Sequence, residues 1–231
     1  MHALSFAYSK ENPEEFEKTL EMLKIDWSST NVMMQNSVKN ALKNVKPEYK
    51  QALKKHLDKN SWNMNMVLSP LRKPTIIHTD FRGNNLLHRV REDGKVDIKI
   101  VDLQTLQGGS PVTDLIYFIF TGSDEQFRAK YYEKLVDHYY TQLSASMKRL
   151  NVDPEETFSR EDFDYELKEK LPFGLTLAVF TLPVITVESQ DAPEVNESLD
   201  ISSFAVEKTS DLYAERLNGV VNDYVKWGIL K

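Results

Sequence analysis

Hydrophobic and polar positions along the first 75 residues follow helical spacing. Asn12 is placed to cap a helix that Pro13 opens, with Glu14 and Glu15 in its first turn, where carboxylates favour the dipole. Phe16, Leu20 and Leu23 give that helix its apolar face. A second helix is predicted from Ser29 to Val45, with Val32, Met33, Val38, Ala41 and Leu42 near helical spacing. Pro47 starts a third, with Tyr49, Leu53, Leu57, Met64 and Val67 on one side, and Ser69-Pro70 breaks it.

The pattern changes at Lys73. Thr75-Ile76-Ile77 reads as a short strand and Asn85 to Val90 as another. Asp93-Gly94 is a hairpin signal, and Val96, Ile98 and Ile100 alternate on one face of a third strand. Helical spacing returns after Gly108-Gly109: a short helix from Thr113 to Thr121, then a long one from Asp124 to Leu150. In the long helix Phe127, Tyr131, Leu135, Tyr139, Leu143 and Met147 recur at four-residue steps, which is a core stripe. Helices from Asp162 to Val187 and from Phe204 to Trp227 follow, with a polar, acidic surface loop from Glu188 to Ser202 between them. Leu171 to Val187 is uncharged and apolar, but it is short for a membrane span and holds Pro172, Gly174 and Pro183, so a buried core helix is predicted.

Composition narrows the classes. A chain of 231 residues, 41% hydrophobic and 28% charged, can bury a core as a soluble globular protein. A net charge of −6 argues against non-specific nucleic-acid binding. Without cysteine there are no disulfides or thiolate metal sites. The N-terminal residues lack the basic start and apolar run of a secretory signal, and a cytoplasmic location is expected.

Chemistry concentrates between Ile76 and Gln104. His78, Asp80 and Asn85 have the spacing of a kinase catalytic loop, and Asp102 ends the apolar strand that follows, as a metal-binding Asp does. Phosphoryl transfer needs a cation against the phosphates and an acceptor hydroxyl in line, and magnesium takes oxygen ligands. Asp80 is the candidate base, Asn85 and Asp102 the candidate ligands of metal and cofactor. Arg82 is placed to offset charge on a transferring phosphate, or stands exposed on the loop. His78 completes the catalytic set as a brace of the backbone near Asp102. Asp114 either caps its helix or bonds the catalytic loop from below. A weaker alternative is a metal-dependent hydrolase built on His78, Asp80, His88 and Asp102.

With these residues in place, the chain resembles the ecdysteroid kinase-like proteins, also called the choline-kinase-like (CHK) domain family, relatives of aminoglycoside phosphotransferases. The resemblance runs through His2-Ala3-Leu4-Ser5-Phe6, the loop from His78 to Asn85, Val101-Asp102-Leu103-Gln104, Ser110-Pro111 with Asp114-Leu115, and the late apolar helix. The family's loop typically begins His-Gly-Asp and its later triplet reads Asp-Phe-Gln; here Thr79 replaces the glycine and Leu103 the phenylalanine, and Arg82 stands where other residues are common.

The resemblance implies an α+β, mostly helical fold: the C-terminal lobe of a protein-kinase-like (aminoglycoside phosphotransferase-like) architecture over residues 1–231, its loop and hairpin at 75–104. It implies an ATP- and magnesium (Mg2+)-dependent phosphotransferase acting on a small-molecule alcohol, with no nucleic-acid or membrane partner; oligomeric state is left open. In the family the His-Ala-Leu-Ser segment follows a nucleotide-binding lobe, and here it begins at residue 2, with no glycine before Gly83 for a phosphate-covering loop. The expectation is a lobe that is inactive alone, from either a truncated reading frame or a lobe-less relative. The alternative function is a pseudokinase-like binding or interaction protein.

Overall fold

Proline opens helices at Pro13, Pro111 and Pro154 in a computed structural model that describes residues 1–27, 31–59, 64–192 and 206–231. The chain divides into two compact units. The first comprises Met1–Ile25, Met66–Gly122 and Tyr132–Lys170, and the second Asp26–Asn65, Ser123–Tyr131 and Leu171–Lys231.

In the first unit, helices α1 (His2–Glu11) and α2 (Pro13–Met22) meet at Asn12. Pro13 opens α2 as expected, but the Asn12 side chain makes no capping bond. Asn12 also ends α1, where its amide donates to Tyr8 O at 2.9 Å, so its backbone serves both helices. Helix α1 packs on strand β1 (Thr75–Ile77). Strand β1 pairs antiparallel with β4 (Gln107–Gly109), in the register Thr75↔Gly109, Ile77↔Gln107. Gly108-Gly109 is therefore part of a strand as well as the break before the next helix. A Cβ on Gly109 would lie 2.3 Å from Ile77 Cδ1 and 2.8 Å from Leu68 O, so the second glycine is what lets β4 close on β1.

Strands β2 (Leu86–Val90) and β3 (Val96–Ile100) form the hairpin that Asp93-Gly94 signals, with Gly94 at φ 76°. Strand β2 starts one residue later than predicted, because Asn85 closes a 3-10 turn, Gly83–Asn85. The alternating residues of β3 do not face a core: Val96 and Ile98 are 52% and 64% exposed.

Helix α6 (Pro111–Gly122) starts two residues before the expected Thr113, with the Ser110 hydroxyl accepting from Val112 N at 3.3 Å. Helix α7 (Glu125–Arg149) matches its predicted span, and the expected stripe holds at Leu143 and Met147 but not at its start. Four-residue steps drift about 40° each around a helix of 3.6 residues per turn. Phe127 is therefore exposed, and in the first unit Val136, Tyr140, Leu143 and Met147 are the buried positions.

A buried carboxylate ties this unit together. Glu166, on helix α9 (Arg160–Ile185), accepts from Leu71 N at 3.1 Å, from Arg72 N at 2.6 Å and from the Ser110 hydroxyl. One turn on, Lys170 Nζ donates to Met66 O at 3.0 Å and Val67 O at 2.9 Å. The chain entering β1 and the residue that follows β4, both at the Thr75–Gly109 end of the pair, are thus held by this helix.

In the second unit, α3 (Asn31–Asn44) packs on α4 (Lys50–Lys59) and α10 (Asp211–Lys226). The expected start of α3 at Ser29 lies outside the described residues. Pro47 opens a 3-10 turn that leads into α4, and α5 (Met64–Leu68) is a separate helix beyond residues 60–63, which are not described. Helix α10 begins at Asp211, where the Ser210 hydroxyl caps it by accepting from Tyr213 N at 3.1 Å; the expected start at Phe204 lies outside the described residues. Arg128 Nε donates to Asp223 Oδ2 at 2.6 Å, a buried pair. The apolar run that begins at Leu171 lies within α9, with Leu175, Leu177, Ala178, Val179 and Leu182 buried. Among the described residues no helix is long and apolar enough to cross a membrane. The fold class is as expected: mostly helical, with two small antiparallel sheets.

Candidate active site

Every residue of the candidate site belongs to the first unit. Its frame is the buried carboxylate of Asp114, in the first turn of α6. Oδ2 accepts from His78 N at 2.7 Å and Oδ1 from Thr79 N at 3.0 Å, so the loop from β1 hangs on one side chain. Of the two roles considered for Asp114, the structure selects bonding to the loop; it lies inside α6 and not at its cap. Asp114 Oδ2 also meets His2 Nε2 at 3.1 Å, and His2 Nδ1 meets the Tyr139 hydroxyl at 2.7 Å. Burial pushes the Tyr139 hydroxyl well above the ordinary tyrosine range, and the carboxylates of Asp114 and Glu166 add to the shift. A phenol so held donates to His2 Nδ1, which leaves Nε2–H to donate to Asp114.

The loop bends sharply at Thr79, whose φ is 65°. A β-branched residue is strained in this left-handed region, where glycine fits freely. Two exchanges hold it: the Thr79 hydroxyl donates to Thr105 O at 2.7 Å, and the Thr105 hydroxyl donates to His78 O at 2.9 Å. The bend carries Asp80 out of the core to a half-buried position, its side chain 27% exposed.

Three donors converge on the Asp80 carboxylate. Oδ2 accepts from Arg82 Nε at 3.1 Å and from Asn85 Nδ2 at 3.0 Å. Oδ1 accepts from the Tyr117 hydroxyl at 2.8 Å. Asn85 Nδ2 also donates to Asp80 O at 2.8 Å, so the buried amide spends its nitrogen on Asp80 and keeps Oδ1 for another donor or a cation. The sequence reading missed Tyr117. It lies three residues after Asp114 on α6, a spacing that puts two side chains on one helix face.

Backbone contacts bring Asp102 to the same end of the hairpin. Val101 N donates to Asn85 O at 3.0 Å, and His78 Nε2–H donates to Val101 O at 3.0 Å. Asp102 follows at φ 63°, a second left-handed residue. Its carboxylate is exposed and makes no hydrogen bond or ion pair among the described residues. The structure thus brings Asp80, Arg82 and Asn85 into direct contact and places Asp102 beside them through the main chain alone. His78 is fully buried, and its Nδ1 has no partner among the described residues.

The donor set fits a hard cation: one amide oxygen left open by the hydrogen bonding of Asn85, and one carboxylate, that of Asp102, with no ion-pair partner among the described residues. The hydrolase alternative does not fit. Among the described residues no three His, Cys, Asp or Glu side chains group as a metal site, and His88 is exposed on β2 opposite Ile98.

The sequence profile of the ecdysteroid kinase-like family matches residues 1–152. The chain belongs to the ecdysteroid kinase-like family. The matched span holds the whole frame of this ecdysteroid kinase-like site, from His2 through the loop and hairpin to Tyr139. Family membership gives a small-molecule kinase-like character, and kinase-like proteins generally use ATP and Mg2+. No curated protein and no solved structure matches the chain.

Proposed function

We propose that this ecdysteroid kinase-like chain transfers the γ-phosphoryl group of ATP to a hydroxyl of a small alcohol, with Asp80 as the base. Asn85 Oδ1 and the Asp102 carboxylate would hold Mg2+, which supplies charge neutralisation at the phosphates when bound. Arg82, already in contact with Asp80, is within its own reach of an incoming phosphate and would offset its charge. His78 braces Val101, and through it the strand end that carries Asp102. In this reading residues 1–231 correspond to the C-terminal lobe of a kinase-like fold.

The observation that carries the reading is the state of the three oxygen-bearing groups. Asp80 is oriented by three donors, Asn85 keeps an oxygen open, and the Asp102 carboxylate is unengaged among the described residues.

The test is transfer of labelled γ-phosphate from Mg-ATP to choline or an ecdysteroid over long incubation, with Asp102→Asn as baseline. Label above that baseline supports the assignment; equal label in both rejects it. Paramagnetic Mn2+ with ATP gives a second readout that tolerates weak binding. It should broaden the Asn85 side-chain amide resonances, and Asp102→Asn should remove the broadening.

A further inference from the structure

A carboxylate offers about four lone-pair sites, two on each oxygen. On Asp80 the two sites of Oδ2 are both taken, by Arg82 Nε and Asn85 Nδ2. Among the described residues Oδ1 accepts only from Tyr117, so one of its sites is open. The two oxygens are therefore not equivalent. The neighbours of the Asp80 carboxylate divide by element: Arg82 and Asn85 belong to its own loop, whereas Tyr117 comes from α6.

From this asymmetry we infer that Asp80 Oδ1 receives the acceptor's proton, and that Tyr117 is the positioning residue that turns that oxygen toward the acceptor. The inference rests on the phosphotransferase reading above and deepens it. In the step, the acceptor's O–H bond breaks and its proton passes to Oδ1. The oxygen's electron pair forms the bond to the γ-phosphorus of a nucleoside triphosphate. The β–γ bridging P–O bond breaks, and the nucleoside diphosphate leaves with that pair.

Tyr117 is 7% exposed, so its ring is fixed by packing. Asp114, one turn earlier, fixes the backbone of His78 and Thr79. The same helix thus sets where the loop lies and how the carboxylate is rotated. Because the Tyr117 O–H already donates to Oδ1, an acceptor hydroxyl must approach beside it, on the remaining lone pair. The substrate class this favours is an alcohol whose hydroxyl projects clear of its own bulk, since a phenol oxygen stands next to the reacting position.

The experiment has two arms. In the first, the chain carries 13Cζ-tyrosine, and the Tyr117 signal is assigned by its loss in Tyr117→Phe. Asp80→Asn should shift that signal and Asp102→Asn should leave it in place; a Tyr117 signal indifferent to Asp80→Asn overturns the inference, whatever the assay gives. In the second arm, labelled transfer from Mg-ATP to choline or an ecdysteroid is measured for Tyr117→Phe, which keeps the buried ring. The expected result is a fall in kcat of about tenfold with KM for ATP unchanged, the loss of one hydrogen bond to a charged group. Full kcat in Tyr117→Phe overturns the inference and leaves the phosphotransferase reading standing. Wild-type label no higher than that of Asp102→Asn sinks that reading, and this inference with it.

Discussion

The amide of Thr79 donates to Asp114 Oδ1 at 3.0 Å while its own backbone sits at φ 65°. A strained residue is thus clamped by a buried carboxylate, which also accepts from His78 N and meets His2 Nε2. Removing the clamp leaves buried donors without an acceptor. Asp114→Ala is predicted to lower the unfolding free energy by about 3–5 kcal/mol. His2→Ala, which removes only one of the donors, should cost about 1 kcal/mol. Urea unfolding of both variants checks the ranking, and equal midpoints would show that Asp114 is not the anchor.

Thr79 itself gives a sharper contrast. Glycine there relieves roughly 1–2 kcal/mol of left-handed strain, and loses about 1 kcal/mol with the hydroxyl bond to Thr105 O. Glycine also adds backbone entropy to the unfolded chain. Thr79→Gly should therefore change stability by less than about 1 kcal/mol. Thr79→Val keeps the strain and loses the hydroxyl bond, so it should be the less stable of the two by about 1 kcal/mol or more. A valine variant as stable as the glycine one would contradict the strain argument.

These elements differ in how far the sequence announced them. His78, Asp80, Asn85 and Asp102 were legible because their spacing is local and the Asp93-Gly94 turn fixes the hairpin that joins them. The long helix α7 was legible from length and apolar density, but its buried face only in part: Leu143 and Met147 are buried while Phe127 is exposed, since a four-residue repeat drifts off the helical period. Tyr117 and His2 reach the site from 37 and 112 positions away from their partners Asp80 and Asp114, and no local pattern encodes such contacts. Strand β4 was hidden for a different reason. Two glycines lower strand propensity, yet the close approach of Ile77 and Leu68 to Gly109 demands one of them.

That close approach is testable. A methyl at Gly109 meets backbone at Leu68 O and the side chain of Ile77, so Gly109→Ala should destabilise by about 1–3 kcal/mol. Gly122, with nothing within 4 Å of a built Cβ, is the control. Gly122→Ala should be neutral or stabilising by up to about 1 kcal/mol. Differential scanning calorimetry on the pair separates steric closure of β4 from a general effect of losing glycine.

Asp102 combines left-handed backbone with an exposed carboxylate that makes no bond among the described residues. Nothing in the fold's stability then depends on its charge. Asp102→Asn should leave the unfolding free energy within about 0.5 kcal/mol of wild type. Asp102→Gly should raise it by about 0.5–1 kcal/mol through relief of the positive φ. Both should abolish transfer above background. A variant that gains stability while losing activity is what a residue kept for chemistry predicts, and destabilisation of Asp102→Gly would argue for a structural role instead.

Alkaline stability follows from the buried phenols of the first unit. Burial raises Tyr132 from 10.0 to about 12, and raises Tyr139 well above 10.0 with the help of Asp114 and Glu166. Unfolded tyrosines lose their protons near 10.0 while the folded ones keep them, so above that pH the unfolded state binds fewer protons and stability falls. Their contribution is fully present below 10.0 and is lost as pH rises toward about 12 and beyond. Lys170, held below its ordinary 10.5 mainly by burial, acts in the opposite sense below 10.5 and cannot produce this fall. Urea unfolding across the window should show the decline, with a shallower slope in Tyr139→Phe. A slope unaffected by Tyr139→Phe would mean that its proton is not held by the fold, and the donation from Tyr139 through His2 to Asp114 would lose its support.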